Sequence, residues 1–409
     1  VSTHPQCGAN SPRFPIFTKL ATSASQGFPD WPTPDFAKKA FIDAINADAN
    51  QYARSLGDMA LVEALASHYG KLIKRTIDPL QEVTVTVGAS EALFATMQAL
   101  VNEGDEVVVL EPAFDIYHAA VQMAGGVCKF VPIELQNDKW EVDMGKLEAA
   151  ISPKTKLMLI NTPHNPTGKV FTRAELECVA DILRRHPHVI AVTDEVYEKL
   201  VFDGREHVRL ASMPDMWERT ITISSSGKTF SCTGWKVGWV YGAAHLVRAV
   251  TLANQWIVFC ICTPAQRAIA TILKEADEPY MGFPDYYAYV RSHYEKKRDD
   301  LAESLKLANI KPIVPEGGFF IMADTSKYEV PEKYVQQPGP TGESPVTRDW
   351  AFARWLTVEG GITPIPPSAF YQPETAHNAA NLARFAFCKE EATLVEAKAR
   401  FRKLGSSLH

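Results

Sequence analysis

The sequence lacks the features that mark membrane-spanning and nucleic-acid-binding proteins. It has no run of about 18 uninterrupted apolar residues, so we expect no segment to cross a membrane. Acidic residues outnumber basic ones, 48 to 42, and the net charge of −6 gives no basic surface for nucleic acid or anionic lipid. Internal repeats and Asn-x-Ser/Thr sequons are also absent. The remaining composition is that of an ordinary globular protein.

Cysteine is scarce as well, with seven residues at irregular spacings. Cys260 and Cys262 form one close pair, but no second pair completes a zinc-binding pattern, so we expect no metal site. The odd number favours reduced, buried thiols and a cytoplasmic protein, with the mitochondrial matrix as the alternative. The N-terminal residues have no apolar signal core.

What the sequence does contain is an alternation of short Val- and Ile-rich runs with helical patterns. Such runs are typical of strands buried on both faces, and the alternation predicts a mostly parallel sheet covered by helices on both sides. One helix is expected to begin at Thr172, which forms a capping box with Glu175. The seven predicted strands are residues 84–87, 106–110, 129–133, 157–161, 189–193, 220–224 and 237–241. The last of them follows no long helical pattern and is expected to be antiparallel.

The pattern changes after about residue 243, where long helical segments and short strand-like segments indicate a smaller α+β domain. We expect long helices over residues 245–276 and 286–307. The first 40 residues show little regular pattern and are assigned to an arm that packs on the smaller domain. The predicted division is an arm at 1–40, a large domain at 41–290 and a small domain at 291–409.

Candidate functional residues follow the predicted strands, at the edge where open α/β sheets bind ligands. Gly88, Ala89 and Ser90 open a helix, which is typical of an anion site but also of a simple tight turn. Phe114 could stack on a planar cofactor or belong to the core. Asp194 ends a buried strand, where a carboxylate needs a cationic partner.

Two further candidates lie in rigid or small-residue turns. Asn165 lies between two prolines, in a turn that would hold its amide in one orientation. Lys228 lies in a Ser- and Gly-rich turn, where an amine can approach a carbonyl and form a Schiff base, although a single lysine is usually a surface group. Together the candidates supply an anion site, a stacking ring, a buried acid and an amine. These are the groups needed to hold pyridoxal 5'-phosphate.

On these residues the sequence resembles the class I pyridoxal-phosphate aminotransferases, and most of all the group of kynurenine aminotransferase, glutamine transaminase K and cysteine-S-conjugate β-lyase. The matching motifs span nearly the whole chain: QGFPDWPTPDF (26–36), NQYARSLGD (50–58), VTVGASEALF (85–94), EGDEVVVLEPAFDIY (103–117), NTPHNPTGKVF (161–171), TDEVYEKLVFDG (193–204), SSSGKTFSCTGWKVGW (224–239) and RFAFCK (384–389). The lysine segment is the most specific, because many relatives have arginine where Lys236 stands.

The resemblance implies the fold type I aminotransferase architecture and a role for each matching residue. Lys228 would form the Schiff base, Asp194 would pair with the pyridine nitrogen, and Tyr197 and Asn165 would hydrogen-bond the ring hydroxyl oxygen. Arg384 would bind the substrate α-carboxylate. The other implied roles are ring stacking for Phe114, phosphate binding for Ala89, Ser90, Ser225 and Lys236, contact with the carboxylate for Asn165 and the Gly27 backbone, and lining of the side-chain pocket for Tyr117 and Phe259.

The resemblance also implies a homodimer, in which Tyr52 and Phe259 reach the neighbouring active site. Three departures from the family pattern are Ser226 in place of a small apolar residue, a shortened segment before Gln26, and Cys260 where some relatives have histidine. The last two bear on the substrate pocket.

The expected activity is transfer of the amino group of an aromatic or sulfur-containing amino acid, such as kynurenine, glutamine or methionine, to a 2-oxo acid by a ping-pong mechanism. The alternative is β-elimination from cysteine S-conjugates with the same cofactor, because both reactions share one carbanion. A cofactor-sensing regulator is a third hypothesis, but it would need a DNA-binding module for which the N-terminal arm has no room.

Overall fold

The structure, a computed structural model, describes residues 22–24, 27–339, 342 and 345–406. Its strands in chain order are β1 (Thr22–Ser23), β2 (Val83–Val87), β3 (Glu106–Glu111), β4 (Val127–Gln136), β5 (Lys139–Val142), β6 (Thr155–Asn161), β7 (Ile190–Asp194), β8 (Thr220–Ser225), β9 (Val237–Gly242), β10 (Lys311–Ile313), β11 (Phe320–Asp324), β12 (Ile362–Thr363) and β13 (Leu382–Ala386). The bounds of β2, β3, β4, β6, β7, β8 and β9 lie within a few residues of the seven strands that the sequence predicts.

The helices surround these strands. In chain order they are α1 (Asp35–Asn46), α2 (Met59–Ile73), α3 (Gly88–Leu100), α4 (Asp115–Met123), α5 (Met144–Ala149), α6 (Arg173–Arg185), α7 (Ser226–Thr229), α8 (Ala244–Val258), α9 (Thr263–Glu275), α10 (Tyr286–Leu307), α11 (Glu332–Val335), α12 (Arg348–Val358) and α13 (Glu391–Ser406). The predicted capping box is present, since Thr172 Oγ1 accepts from Glu175 N and Glu175 accepts from Thr172 N. It fixes where α6 begins.

Among the described residues, the largest sheet has eight strands in the order β2-β9-β8-β7-β6-β3-β4-β5. The pairs from β4 through β3, β6 and β7 to β8 are parallel, and β9 is antiparallel to both of its neighbours, as the sequence predicted. The parallel strands β6 and β8 are buried on both faces, because helices cover the sheet on both sides. The fold is therefore the predicted α/β architecture.

The predicted count of seven strands is wrong by one. The additional strand, β5, pairs antiparallel with β4 at the edge of the sheet. Asn137 and Asp138 join the two strands, both with positive φ (50° and 65°), as a two-residue hairpin turn requires. The residues of β5, KWEV, do not form a Val- and Ile-rich run of the kind by which the other strands were recognised.

The helix expected over residues 245–276 is in fact two helices, α8 and α9. Phe259 ends α8 with a φ of 65°, and Pro264 stands in the first turn of α9, where a missing N–H is tolerated. The residues that directly follow Asp194 form turns.

A second sheet is antiparallel and has three strands in the order β10-β11-β13. Beside it, α10 packs against α13. The described part of the N-terminal arm contacts this region, because β1 pairs with β12 and Ala24 O accepts from Ala386 N at 2.7 Å. Residues 1–21, 25 and 26 of the arm lie outside the described residues. The domain boundaries at 40 and 290 stay predictions.

Within the described part of the chain, no helix is long and apolar enough to cross a membrane, and no cluster of potential metal ligands occurs. No disulfide joins the six cysteines that the structure describes, while Cys7 lies outside them. Only some of these thiols are buried as expected, since Cys178 and Cys262 are exposed.

Candidate active site

The turn from β2 into α3 forms an anion cradle with the start of β9. Gly88 opens α3 with a φ of 72°, so the first N–H groups of the helix have no partners within it. A Cβ on Gly238 would lie 2.4 Å from Gly88 C and 2.6 Å from Ala89 N, so only glycine permits this approach of β9. The Nζ of Lys236 lies 3.3 Å from the position of a Cβ on Gly88. Helix N–H groups beside an ammonium bind a phosphate well.

Asp194 ends β7 as a buried carboxylate that neutral groups hold in place. Tyr117 Oη donates to Asp194 Oδ2 at 2.8 Å, and Val196 N donates to Oδ1 at 3.2 Å. Burial raises the pKa of Asp194 to about 6, against the lowering effect of these two hydrogen bonds. Within the described residues, no cationic nitrogen lies within 4.0 Å of this carboxylate. Asp194 is thus a buried acid whose partners among the described residues are neutral hydrogen-bond donors.

Tyr117 lies beside the acid. Its ring is buried and its hydroxyl donates to Asp194, and its predicted place in the side-chain pocket stays a prediction. This hydrogen bond joins α4 to the end of β7, across 77 residues of sequence. The sequence contains no signal for it.

Lys228 lies in the short helix α7, directly after β8. Its Nζ donates to Gly27 O at 2.8 Å and lies 5.1 Å from the ring centre of Phe319 and 5.8 Å from that of Tyr197. Burial lowers the pKa of Lys228 to about 8; Cys388 and Asp194 raise it, whereas Arg384 and Lys236 lower it further. The Lys228 amine is therefore within electrostatic reach of Asp194, Lys236 and Arg384.

Arg384 projects from β13 between two aromatic rings. Its guanidinium carbon lies 3.9 Å from the ring centre of Phe320 and 4.6 Å from that of Phe370, and its Nη1 donates to Asn165 Oδ1 at 3.0 Å. Burial lowers its pKa to about 10, so the side chain stays charged at neutral pH. A guanidinium held flat in this way can bind a carboxylate with two parallel hydrogen bonds. Sequence reasoning missed both phenylalanines.

Asn161 is another residue that the sequence did not single out, although it lies inside a quoted motif. Its Nδ2 donates to Asp194 O at 2.9 Å, and its Oδ1 accepts from Asn165 N at 2.7 Å. The side chain therefore holds the ends of two neighbouring loops together. Its burial at the last position of β6 was the available signal.

The remaining predicted residues fall into two groups. Phe114 and Ser225 stand at the same sheet edge, where the half-buried Phe114 ring lies 5.9 Å from that of Tyr117 and Ser225 ends β8. Tyr52 and Phe259 instead lie on the surface, 83% and 50% exposed, with their rings 5.3 Å apart. A single chain does not bring these two rings to the other candidates.

The known proteins that this chain resembles are consistent with this arrangement of residues. The family model described as aminotransferase class I and II matches residues 15–396. The kynurenine–oxoglutarate transaminase of Dictyostelium discoideum is 43% identical over 399 residues, covering 94% of this chain and 91% of the relative. Human kynurenine–oxoglutarate transaminase 1 is 40% identical over 403 residues, covering 95% and 94%.

Solved structures give the same result. The crystal structure of Bna3p from Saccharomyces cerevisiae superposes with a TM-score of 0.89 at 34% identity, covering 95% of this chain and 92% of that one. YbdL from Escherichia coli, whose structure and reactivity identified a methionine aminotransferase function, gives 0.86 at 32% identity, covering 99% and 100%. The structural similarity thus includes the eight-stranded sheet and the three-stranded sheet.

Proposed function

The chain belongs to the class I and II aminotransferases, and on that premise we propose that it moves the amino group of an aromatic or sulfur-containing amino acid to a 2-oxo acid by a ping-pong mechanism. Kynurenine, glutamine and methionine-like amino acids are the proposed donors. The names of relatives support this range, because they include kynurenine–oxoglutarate transaminases and a methionine aminotransferase. The observation that carries the proposal is that the Lys228 amine is within electrostatic reach of both Asp194 and Arg384, with Arg384 held by a hydrogen bond to Asn165 at 3.0 Å.

The family uses pyridoxal phosphate, and the site has places for each part of it. The cradle at Gly88 and Lys236 suits a phosphate, and the buried Asp194 carboxylate suits a protonated ring nitrogen. We propose that the cofactor is held by Lys228, Asp194, Tyr197, Asn165, Phe114, Ala89, Ser90, Ser225 and Lys236, with Tyr52 of a second subunit.

The chemistry follows from what these side chains can do. Bound pyridoxal phosphate supplies a ring that withdraws electrons from the substrate Cα. Once the substrate amino group has replaced it on the cofactor, the freed Lys228 amine would take the proton from that carbon, and its lowered pKa increases the neutral fraction that can act as a base. The Asp194 carboxylate keeps the ring nitrogen protonated. Arg384 binds the α-carboxylate and so orients the Cα–H bond toward Lys228.

The surroundings of Arg384 support the proposed choice of donor. Phe320 and Phe370 flank the guanidinium, and Phe319 lies beside Lys228. We propose that Gly27, near Lys228, closes the carboxylate end of the pocket together with Asn165. We propose that these rings also face the donor's side chain, where an apolar, aromatic wall would favour a flat or sulfur-containing side chain over a charged one, because a charge placed there would lose its hydration.

We further propose that the protein acts as a homodimer. Tyr52 and Phe259 form an exposed aromatic patch where α8 ends, and Trp256, which is 83% exposed, lies three positions before Phe259 in the chain. Burying this patch against a second copy would place Tyr52 and Phe259 at the neighbouring site. Light scattering of the loaded enzyme should give twice the mass of one chain, and a monomer would contradict this part of the proposal.

A panel of amino donors and 2-oxo acids tests the proposed activity. We expect kynurenine, glutamine and methionine to react with 2-oxo acids, and aspartate to react poorly. Lys228→Ala is the matched inactive control, and borohydride reduction followed by peptide mapping should place the cofactor label on Lys228. Pyruvate released from cysteine S-conjugates without a 2-oxo acid would indicate β-elimination instead. A label on another residue, or full activity of Lys228→Ala, would overturn the site assignment.

A further inference from the structure

A buried polar network lies next to the active site but takes no part in the proposed chemistry. We call it the Arg209 network. It consists of Tyr69 on α2, Glu195, Glu198, His207 and Arg209 in the segment after β7, Ser224 on β8 and Trp239 on β9. The side chains of Glu195, Glu198 and Arg209 are only 1%, 4% and 9% exposed.

Arg209 contacts both carboxylates of this network. Its Nη2 donates to Glu198 Oε2, and its Nε lies 3.5 Å from Glu195 Oε2. His207 Nε2 lies 2.8 Å from the same Glu195 oxygen. Arg209 therefore joins two acids that are three positions apart in the chain.

Glu198 is also held from the opposite side. Its Oε1 accepts from Tyr69 Oη at 2.5 Å and from Ser224 Oγ at 3.0 Å, and Tyr69 Oη accepts from Trp239 Nε1 at 3.0 Å. Burial by itself would raise the pKa of Glu198, but Arg209, with Lys199 and His207, holds it well below its usual range. Glu198 is thus a fixed carboxylate. It connects the turn formed by residues 194–198 to α2 and β8 directly, and to β9 through Tyr69.

The positions of these residues in the chain connect the network to the active site. Glu195 directly follows Asp194, Glu198 directly follows Tyr197, and Ser224 directly precedes Ser225. Neighbouring side chains on a strand point to opposite faces, as Ser224 and Ser225 do on β8. Three residues proposed to hold the cofactor, Asp194, Tyr197 and Ser225, therefore each have a neighbour in the chain that belongs to the Arg209 network.

We propose that Arg209 is a positioning residue, which fixes both ends of the turn 194–198 through Glu195 and Glu198 and thereby holds Asp194 and Tyr197 toward the cofactor. This inference rests on the proposed function, through the roles of those two residues. Burying three charges is unfavourable unless they are well paired, and even a well-paired buried network contributes little net stability, so we expect this one to serve placement more than stability. An error of about 1 Å at a reacting group can cost a hundredfold in rate.

The test compares Arg209→Lys with Arg298→Lys in the loaded enzyme. Arg298 is a matched control, because its side chain is also buried, at 4% exposed, and pairs with Asp203 at 2.6 Å and Asp299 at 2.8 Å. Neither partner adjoins a proposed site residue in the sequence. Thermal unfolding, the pH midpoint of the bound cofactor's absorbance, the cofactor dissociation constant and kcat with KM are measured for both variants.

We expect both variants to lose stability, but only Arg209→Lys to change the cofactor. In Arg209→Lys the pH midpoint of the cofactor's absorbance should rise by about half a pH unit or more. The reason is that the ring hydroxyl oxygen of the cofactor would lose the hydrogen bond from the Tyr197 hydroxyl, and its deprotonated form would then be less stable. The kcat of this variant should fall by about tenfold or more with KM changed less than about twofold, as for a group that acts on the transition state. Arg298→Lys should leave the midpoint and kcat unchanged.

A second variant covers the case in which Arg209→Lys does not fold. The double variant Arg209→Met, Glu198→Gln removes both the positive and the negative charge of the Arg209–Glu198 ion pair. Neither position is then left with a buried charge that has lost its partner. If either folded variant keeps the wild-type midpoint and kcat, the network is structural only and the proposal is wrong. Failure of the wild-type enzyme to bind cofactor at Lys228 would instead refute the proposed function, so the two failures are distinguishable.

Discussion

Replacing Asp194 with asparagine should stabilise the cofactor-free protein at neutral pH while impairing the loaded enzyme. Burial raises the pKa of Asp194 from 3.8, the value of an ordinary aspartate, to about 6. The folded protein therefore binds more protons than the unfolded chain between about pH 4 and pH 6, and stability falls as pH rises through that window. A difference of about two pKa units corresponds to about 3 kcal/mol of unfolding free energy, lost in full above pH 6.

Asparagine removes this charge but keeps the neighbouring hydrogen bonds. Its amide oxygen can accept from Val196 N, and its amide nitrogen can donate to the Tyr117 hydroxyl oxygen. We therefore expect the variant to be more stable by about 3 kcal/mol at pH 7.5 and by about half as much at pH 5. In the loaded enzyme kcat should fall by about a hundredfold or more, because asparagine has no charge with which to hold the ring proton, and a hundredfold corresponds to about 3 kcal/mol in the barrier.

Urea unfolding of the cofactor-free protein at both pH values, followed by circular dichroism, measures the first effect. Glu103→Gln, on an exposed acid, is the control and should change stability at neither pH. A variant that is no more stable than the wild type at pH 7.5, or a gain that is the same at both pH values, would refute the reasoning. It would mean that the Asp194 carboxylate is not held in a desolvated site.

Two further predictions concern the cradle and the carboxylate site. Gly238→Ala should weaken cofactor binding by about tenfold or more, because its Cβ would lie 2.4 Å from Gly88 C and displace the start of α3. Gly234→Ala, with no atom within 4 Å of its Cβ, is the control, and equal dissociation constants would contradict the cradle. Arg384→Lys should lower kcat/KM by about a hundredfold for every amino donor, because lysine cannot form the paired hydrogen bonds. An unchanged kcat/KM would place the carboxylate site elsewhere.

The sequence predicted the strands and the edge at which the candidate residues lie. Buried strands such as β3 and β6 contain continuous apolar runs, and such a run gives nearly the same local signal in any α/β protein. Candidates that directly follow a strand, such as Asp194 and Lys228, could be found because chain position fixes their place at the sheet edge. The short strand β5 and the break between α8 and α9 were missed, because each depends on a few residues with unusual backbone angles.

The partners of those residues could not be predicted. Tyr117 contacts Asp194 across 77 positions, and Arg384 contacts Asn165 across 219. Phe320 and Phe370 reach Arg384 only because β11, β13 and the turn at Pro367–Phe370 come together in space. None of these contacts leaves a periodic or compositional signal in the chain.

The sequence by itself therefore determined the fold class, the kind of cofactor and the chemical groups that could act on it, since these depend on local periodicity and on residue identity at strand ends. The tertiary structure decided which groups touch. It alone turned Tyr117 toward Asp194 and placed Arg384 between two rings, and it buried Glu195, Glu198 and Arg209 behind the site. The physical reason is that side-chain contacts and desolvation are set by close packing between segments distant in the chain, whereas strand and helix formation is largely local.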